Sequence, residues 1–139
     1  MTREEFKLFR KNMKRTQETM ARLLGISVKA VRSYEQGWRQ IPIHVERQML
    51  FLAALKDNLL EHHGKCWDIM NCPRERKKKC PAWEFNAGAL CWFISGTICE
   101  GEVHATWEEK IHICRKCAAF PEKLQTKKTK QEKTRNHHL

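Results

Sequence analysis

The segment from Thr16 to Gly37 constrains the fold of this chain most, because it is patterned as two short helices joined by a tight turn. Its first helix carries apolar residues at helical spacing and ends at Gly25, a residue that turns the chain without strain. Ser27 then caps a second helix from Val28 to Glu35. The small side chain of Ala21 beside the turn allows the two helices to approach closely. The segment therefore predicts a compact helical hairpin.

The second helix of this hairpin directs short and cationic side chains outward at its leading end. These side chains are Val28, Lys29, Arg32 and Ser33. An exposed helix of this kind suits the major groove of DNA, which is wide enough to admit one helix. On spacing alone, the alternative is an ordinary helical hairpin with solvated charges.

A wider set of residues at fixed offsets surrounds the hairpin. The set comprises Gln17, Glu18, Ala21, Leu24, Gly25, Ile26, Ser27, Val31, Tyr34, Glu35, Gly37 and Pro42. In this set the chain resembles the helix-turn-helix of the Cro/phage-repressor (Xre) family, over roughly the first 55 residues. The resemblance implies a lambda-repressor-like bundle of four or five helices, with Val28 to Glu35 as the recognition helix. The expected fold class is mainly α.

The resemblance also implies how this bundle binds double-stranded DNA. By position, Gln17 holds a phosphate, while Arg39 and Gln40 contact the far backbone. The residues implied to face base edges are Val28, Lys29 and Ser33. With the cap and the outward cation added, the expected DNA-binding set is Gln17, Ser27, Val28, Lys29, Arg32, Ser33, Arg39 and Gln40.

Two features at the starts of helices refine this prediction. Thr2 and Glu5 form a capping box for a first helix to about Lys14, whose outer face includes Arg10. Thr19 is a departure from the family, which usually has an acidic residue there. We expect this departure to weaken the capping box of the helix that begins after Thr16 without changing the DNA-reading surface.

A longer helix is expected from Ile43 to Leu60, after a loop that Gly37 opens and Pro42 closes. Its apolar stripe is Val45, Met49, Leu52, Leu55 and Leu59, broadened by Leu50, Phe51, Ala54 and Leu60. This stripe is wider than one small bundle needs. Burial between two domains and pairing in a homodimer explain it equally well, and a symmetric dimer would suit two DNA half-sites.

Length and charge fit a chain of two small domains. The chain has 139 residues, which can form two domains if something other than a large core stabilises the second. Residues 1–60 carry 12 Lys+Arg and 6 Asp+Glu, residues 61–120 carry 9 and 8, and residues 121–139 carry 6 and 2. The basic excess therefore lies on the predicted DNA-binding half and on the tail, where it would attract phosphates.

Composition also predicts the compartment. The chain has no run of about eighteen apolar residues and no apolar signal segment at its N-terminus. We therefore expect a soluble, cytoplasmic protein with no membrane partner. In a reducing compartment, the seven cysteines favour metal or redox chemistry over structural disulfides.

Polar segments suggest the domain boundaries. Residues 61–65 form a polar break in which the adjacent His62 and His63 are expected to be solvated. The C-terminal segment is basic and lacks aromatic residues, so we expect it to be disordered. The expected organisation is a DNA-binding domain at 1–60, a linker at 61–65, a cysteine-rich metal or redox domain at 66–120 and a basic tail at 121–139.

All of the cysteines fall in the second half of the chain, within about 55 residues that contain few aliphatic side chains. Such a unit is expected to need a stabilising cross-link in addition to its core, and a bound metal would provide one. The cysteines are Cys66, Cys72, Cys80, Cys91, Cys99, Cys114 and Cys117. With the repeated Cys-Trp dipeptide and the Cys-x-x-Cys pair, the segment resembles the two-CW cysteine-rich module attached to bacterial regulatory domains. The resemblance implies a sensory role. We expect a small, irregular, metal-stabilised α+β domain with all seven cysteines as candidate metal ligands. One four-sulfur centre would leave three thiols over, and these could instead be buried as small hydrophobic residues.

Three chemistries compete for these thiols. An iron–sulfur cluster, with 4Fe-4S preferred, is favoured by the all-cysteine ligand set and by tryptophans that can exclude water. Structural zinc is the second choice, with Cys72, Cys80, Cys114 and Cys117 as a workable four-thiolate set. A thiol–disulfide switch is the third, helped by the basic residues 74–79 beside Cys80.

Other residues of the segment are expected to be structural. Four tryptophans, Trp67, Trp83, Trp92 and Trp107, should form its apolar core. His104 and His112 should lie at the surface, with His112 in a short strand, and residues 74–79 should form a solvated loop.

The predicted function is that of a DNA-binding transcription regulator whose cysteine-rich domain senses redox state or metal, with the signal passing through the helix expected at 43–60. The alternative is a DNA-binding scaffold in which structural zinc supports a surface that docks a partner protein. An oxidoreductase using Cys114 and Cys117 would need a thioredoxin-like setting, which the sequence does not suggest. We see no catalytic triad, phosphate-binding glycine loop or paired carboxylates, and we expect neither enzymatic activity nor a small-molecule substrate.

Overall fold

The computed structural model describes residues 1–58, 64–99 and 101–124 of the chain. The chain divides into two compact units, Met1–Asp57 and Asn58–Leu139. Several sequence-based expectations fall outside the described residues. They concern the helix end at Leu59 and Leu60, the histidines His62 and His63, and residues 125–139 of the tail.

The first unit is a bundle of helices. Its described helices are α1 (Arg3–Asn12), α2 (Gln17–Leu24), α3 (Val28–Gln36) and α4 (Ile43–Lys56). Helices α1 and α2 both pack against α3 and against α4. This all-helical arrangement is the bundle that the sequence predicts, and it places α3 where one of its faces remains exposed.

Short local signals set the ends of these helices. Thr2 and Ser27 cap α1 and α3, because each side-chain oxygen accepts a hydrogen bond from the backbone N–H three residues on. Gly25 and Gly37 end α2 and α3 with φ values of 69° and 78°, in the left-handed region that favours glycine. These ends are where the sequence places them, and they fix the tight turn between α2 and α3.

Thr19 completes a capping box at the start of α2, where we expected a weakened one. The backbone N–H of Thr19 donates to Oγ1 of Thr16 at 3.1 Å, and the backbone N–H of Thr16 donates to Oγ1 of Thr19 at 2.9 Å. A reciprocal capping box is therefore present. The expected weakening is wrong, because a threonine hydroxyl accepts the hydrogen bond that the usual acidic side chain would accept.

The core of the first unit is built from apolar side chains of all of its described helices. These include Phe6, Phe9, Met20, Leu24, Val31, Tyr34, Val45, Met49 and Leu50. The rings of Phe6 and Tyr34 meet edge to face, with centroids 5.8 Å apart. In α4, Val45 and Met49 of the predicted stripe are buried, as are Leu50 and Ala54 from its broadened part, whereas Leu52 is half-buried and Leu55 is exposed. Ala53, which was not expected in the stripe, is also buried.

The second unit is a small α+β assembly of short elements. Its helices are α5 (Cys66–Ile69), α6 (Arg74–Lys79), α7 (Pro81–Glu84) and α8 (Trp107–Cys114), with 3₁₀ turns at Gly88–Phe93 and Glu122–Leu124. Strands β1 (Thr97–Cys99) and β2 (Glu102–His104) pair antiparallel, with Thr97 opposite His104. The irregular α+β character agrees with the sequence.

Two local expectations for this unit are wrong. The segment around His112 is helical, because Thr106 caps α8 and its side chain accepts a hydrogen bond from Glu109 N–H. In this helix Ile111 is buried while His112 is exposed. Residues 74–79 also form a helix, which starts directly after Pro73. Alternation over three residues does not distinguish a strand from a helix of two turns.

Burial in the second unit departs from the sequence-based expectations in three places. Trp67, Trp92 and Trp107 are buried as expected, but Trp83 is 39% exposed. His104 is buried rather than at the surface. Leu124 is fully buried, so the unit extends past the start of the tail expected at residue 121.

None of the helices in the described ranges has the length and apolar character needed to span a bilayer.

Candidate functional site

The carboxylate of Glu35 fixes the position of α3 in the bundle. Arg10 on α1 donates to it through Nη2 at 2.7 Å and through Nε at 3.1 Å. Gln17 on α2 donates to it through Nε2 at 3.1 Å. The side chain of Glu35 is only 3% exposed and that of Arg10 13%. One buried carboxylate therefore connects α1, α2 and α3, and Arg10 is not on the outer face where we expected it.

The outward face of α3 carries the residues available to read DNA. Lys29, Arg32 and Gln36 are exposed, and Val28 is half-buried. They recur at intervals of three and four residues, so they lie on one side of the helix. Arg32 pairs with Glu18 at 3.2 Å, and both side chains are more than half exposed. Such a pair contributes little stability, so a phosphate or base could replace Glu18 as the partner of Arg32.

Ser33 does not lie on this face. It is 8% exposed, and its hydroxyl donates to the backbone carbonyl of Lys29 at 2.9 Å. The expectation that Ser33 points outward and faces base edges is wrong, because α3 turns Ser33 toward the core with its apolar neighbours Val31 and Tyr34. The bond to Lys29 satisfies the hydroxyl within the helix, so its burial costs little.

The remaining predicted DNA-binding residues surround α3. Ser27 is exposed, and its hydroxyl accepts a hydrogen bond from Ala30 N–H at 3.0 Å. Arg39 and Gln40 are both exposed in the loop after α3. The guanidinium of Arg39 lies over the ring of Tyr34, 5.6 Å from its centroid. Gln17 is half-buried, and its side-chain amide already donates a hydrogen bond to Glu35. The predicted contact with a phosphate would use the same amide group.

Sequence reasoning missed two features of this surface. Gln36 was not among the predicted DNA-binding residues, although it follows Arg32 by four positions and therefore shares its face. The buried pair of Arg10 and Glu35 was also missed, because the partners are 25 residues apart in the chain. The only signal for the pair was that Glu35 belongs to the set of residues that resembles the family.

In the second unit, the cysteines surround a single cavity. This thiol cavity has a volume of about 120 Å³. Its wall includes Cys66, Cys72, Cys80, Cys91, Cys99, Cys114 and Cys117. All seven are free thiols. Trp67, Trp92 and Phe120 complete much of the apolar wall. The structure thus brings together all of the cysteines that the sequence singles out, from every part of the unit.

Backbone donors point at two of the sulfurs. Ile98 N–H in β1 donates to Sγ of Cys80 at 3.4 Å. Ala119 N–H donates to Sγ of Cys117, also at 3.4 Å. Hydrogen bonds to sulfur are among the contacts that tune a sulfur-ligated metal group.

The thiols differ in their affinity for a proton. A hydrogen bond from the Cys91 thiol lowers the pKa of Cys66 to about 7, despite partial burial. The same bond, together with burial, raises the pKa of Cys91, because Cys91 must keep its proton to donate. Burial raises the pKa of Cys72, Cys99 and Cys114. Cys66 is therefore the thiol in this set most ready to become a thiolate near neutral pH.

The donor set fits a sulfur-ligated metal group in its chemistry. Thiolates are preferred ligands of zinc and of iron–sulfur clusters, and the thiol cavity presents seven such sulfurs in a largely apolar wall. Among the described residues, no three Cys, His, Asp or Glu side chains are already grouped closely enough to hold an ion. The sulfurs are spread around a cavity of about 120 Å³. This volume is several times the roughly 10–15 Å³ that one water molecule needs.

Comparisons with known proteins bear on the first unit. Residues 6–45 match the model of the helix-turn-helix family. This range includes α2, α3 and the Gly25 turn between them. Comparison of the chain with curated proteins and with solved structures gives no significant match. The resemblance of residues 66–120 to the two-CW module stays a prediction. The first unit of this chain is a helix-turn-helix DNA-binding domain of the kind found in transcription regulators.

Proposed function

We propose that this chain is a transcription regulator in which occupancy or redox state of the thiol cavity alters DNA binding. The observation that carries the proposal is the gathering of all seven cysteines around one cavity in a chain that also has a helix-turn-helix domain. Thiols scattered over a surface would support no such role. A cavity walled by sulfur and tryptophan is suited to a group that responds to oxidants or to metal supply.

The proposed DNA-reading surface is the exposed face of α3. Lys29, Arg32 and Gln36 reach base edges in the major groove, with Val28 available for apolar contact. Gln17 on one side, and Arg39 and Gln40 on the other, hold the backbone. Residues 1–60 carry 12 Lys+Arg against 6 Asp+Glu, and this basic excess supplies the attraction to phosphates. A homodimer binding two half-sites remains part of this prediction.

The proposed occupant of the thiol cavity is an iron–sulfur cluster, with zinc as the alternative. The volume of about 120 Å³ favours a cluster, because a single ion would occupy only a small part of it. When bound, such a cluster supplies a one-electron redox centre whose potential depends on its surroundings. Cysteines in the wall would ligate it, the N–H groups of Ile98 and Ala119 would stabilise ligated sulfur, and Trp92 would exclude water.

Two substitutions test the DNA-reading surface. Lys29→Ala should weaken the free energy of binding to the best duplex selected from a random pool by about 1–3 kcal/mol, because a base contact is lost. The variant should also discriminate less between DNA sequences. Arg39→Ala should weaken binding to all duplexes alike, because a phosphate contact is lost. The slope of log affinity against log salt concentration should become shallower by about 1. Affinities measured over a range of salt concentrations on selected and scrambled duplexes distinguish the two. Identical behaviour of both variants on every duplex would refute the assignment of α3 as the reader.

Exposed apolar side chains favour the scaffold alternative. Phe85 is 69% exposed directly after α7, which also carries the partly exposed Trp83, and Val103 is 62% exposed in β2. A contiguous exposed apolar patch is typical of a protein-binding site, and Trp83 with Phe85 would contribute to one. In that case the cavity would hold structural zinc and no redox chemistry would follow. Protein purified without oxygen would then be colourless and contain about one zinc ion per chain, whereas a cluster would make it brown.

A further inference from the structure

A lysine is completely buried beside the thiol cavity. Lys110 lies in the middle of α8, where its side chain has no exposed surface. Its ammonium donates a hydrogen bond to Oγ1 of Thr97, a residue in the cavity wall. A neutral hydroxyl does not balance a positive charge. Burying an ammonium is strongly unfavourable unless an anion lies nearby.

The surroundings of Lys110 supply thiols instead of carboxylates. Among the described residues, no Asp or Glu forms an ion pair with it. Its side chain interacts with the thiol of Cys114, one helical turn along α8, through a hydrogen bond. The charge of Lys110 also favours the thiolate forms of three further thiols, those of Cys66, Cys91 and Cys99. The groups available to balance Lys110 are therefore sulfur atoms of the cavity.

A second buried donor beside the thiol cavity also lacks a suitable partner. Trp92 has no exposed surface and lines the thiol cavity. Its indole Nε1–H is buried and has no acceptor among the described residues. Buried N–H groups are nearly always hydrogen-bonded, and an exception calls for an explanation. An acceptor bound within the cavity would provide one.

We propose that Lys110 is the counter-ion of a negatively charged metal–thiolate centre in the thiol cavity, and that Trp92 donates a hydrogen bond to the same centre. This inference rests on the proposed function, since it assumes that the cavity holds a metal group. Four thiolates around one divalent ion leave a net charge of about −2, which a single buried ammonium partly offsets. Lys110 acts through the ligands and is therefore a positioning residue.

The simplest alternative is that Lys110 only holds Thr97, and thus β1, against α8. The two roles differ in the effect of Lys110→Met, which keeps most of the side chain's length and removes its charge. A structural role predicts loss of stability with or without metal. A counter-ion role predicts loss of metal affinity, while the metal-free chain is unchanged or stabilised because a buried charge has been removed.

The test measures Zn²⁺ affinity of the full chain by competition with a chromophoric chelator, under anaerobic and reducing conditions. Thermal unfolding of the metal-free chain is recorded in parallel. We expect Lys110→Met to bind Zn²⁺ about 10–100-fold more weakly and to unfold, without metal, at or above the wild-type midpoint. The control Lys78→Met removes the same charge from an exposed side chain of α6 and should change neither quantity. Trp92→Phe, which removes the N–H donor together with part of the buried ring, should lower the affinity by a smaller factor.

Three results would overturn the inference. Equal Zn²⁺ affinity of wild type, Lys110→Met and Trp92→Phe would refute it while leaving the proposed metal centre intact. A midpoint of metal-free Lys110→Met that falls well below that of wild type would show that Lys110 is structural. Failure of the wild-type chain to bind either Zn²⁺ or iron would refute the proposed metal centre and, with it, the role of Lys110.

Discussion

Replacing Glu35 with alanine is expected to lower the free energy of unfolding of the helix-turn-helix unit by up to about 3–5 kcal/mol, because it leaves a largely buried guanidinium without its carboxylate. Arg10 would lose its hydrogen bonds to that carboxylate, which run from 2.7 to 3.1 Å, and Gln17 would lose one more. Typical domains are stable by only about 5–15 kcal/mol, so Glu35→Ala should leave the unit close to unfolding at 37 °C. Urea unfolding followed by far-UV circular dichroism measures the loss, and DNA binding should weaken with it.

A matched control for this prediction lies in the same unit. Glu18 also pairs with an arginine, Arg32, but both side chains are exposed, so Glu18→Ala should shift the unfolding midpoint little. The double variant Arg10→Met with Glu35→Leu should recover much of the stability lost in Glu35→Ala, since it removes both buried charges together. If Glu35→Ala and Glu18→Ala lowered stability equally, burial of the Arg10–Glu35 pair would not be what holds α1 and α2 against α3.

The second large effect is expected at Phe120, in the wall of the thiol cavity. Its ring packs edge to face against Trp92, with centroids 6.0 Å apart, and the residue is 3% exposed. Phe120→Ala should destabilise the second unit by about 3–5 kcal/mol, through lost apolar burial and the cavity left behind. In a unit of short elements this loss should expose the cysteines. The rate of their modification by an alkylating reagent, together with tryptophan fluorescence, would report it.

Phe85→Ala provides the control for Phe120→Ala. It removes the same side chain from the same unit at a position that is 69% exposed, so stability should change by no more than about 0.5 kcal/mol. The cysteines should then react at the wild-type rate. Equal effects of the two substitutions would mean that the core of this unit does not lie where Trp92 and Phe120 meet.

Features determined by local chemistry could be predicted from the sequence. The caps at Thr2 and Ser27 and the left-handed glycines Gly25 and Gly37 each depend on a few neighbouring residues. The four helices of the first unit follow from these ends and from apolar spacing. The helical nature of α8 was missed because its sequence pattern around His112 is equally compatible with a strand, and the cap at Thr106 was not recognised.

Features that depend on distant contacts could not be predicted in this way. Ser33 is exposed or buried according to a rotation of α3 that the Arg10–Glu35 pair and the core jointly set. Lys110 appears in the sequence as an ordinary surface lysine, and only the packing of α8 shows that it is buried. The sequence does identify all seven cysteines as a set, but their arrangement around one cavity requires the fold.

The most direct test of the central claim is elemental analysis of the full chain, purified without oxygen, together with its visible absorption spectrum. Our account predicts a brown protein that contains iron and acid-labile sulfide, and whose affinity for its selected duplex changes when the cluster is oxidised or removed. A colourless protein with about one zinc ion per chain would favour the scaffold alternative. A chain that contains no metal, keeps its second unit folded in chelator and reductant, and binds DNA with the same affinity under all these conditions would contradict the account.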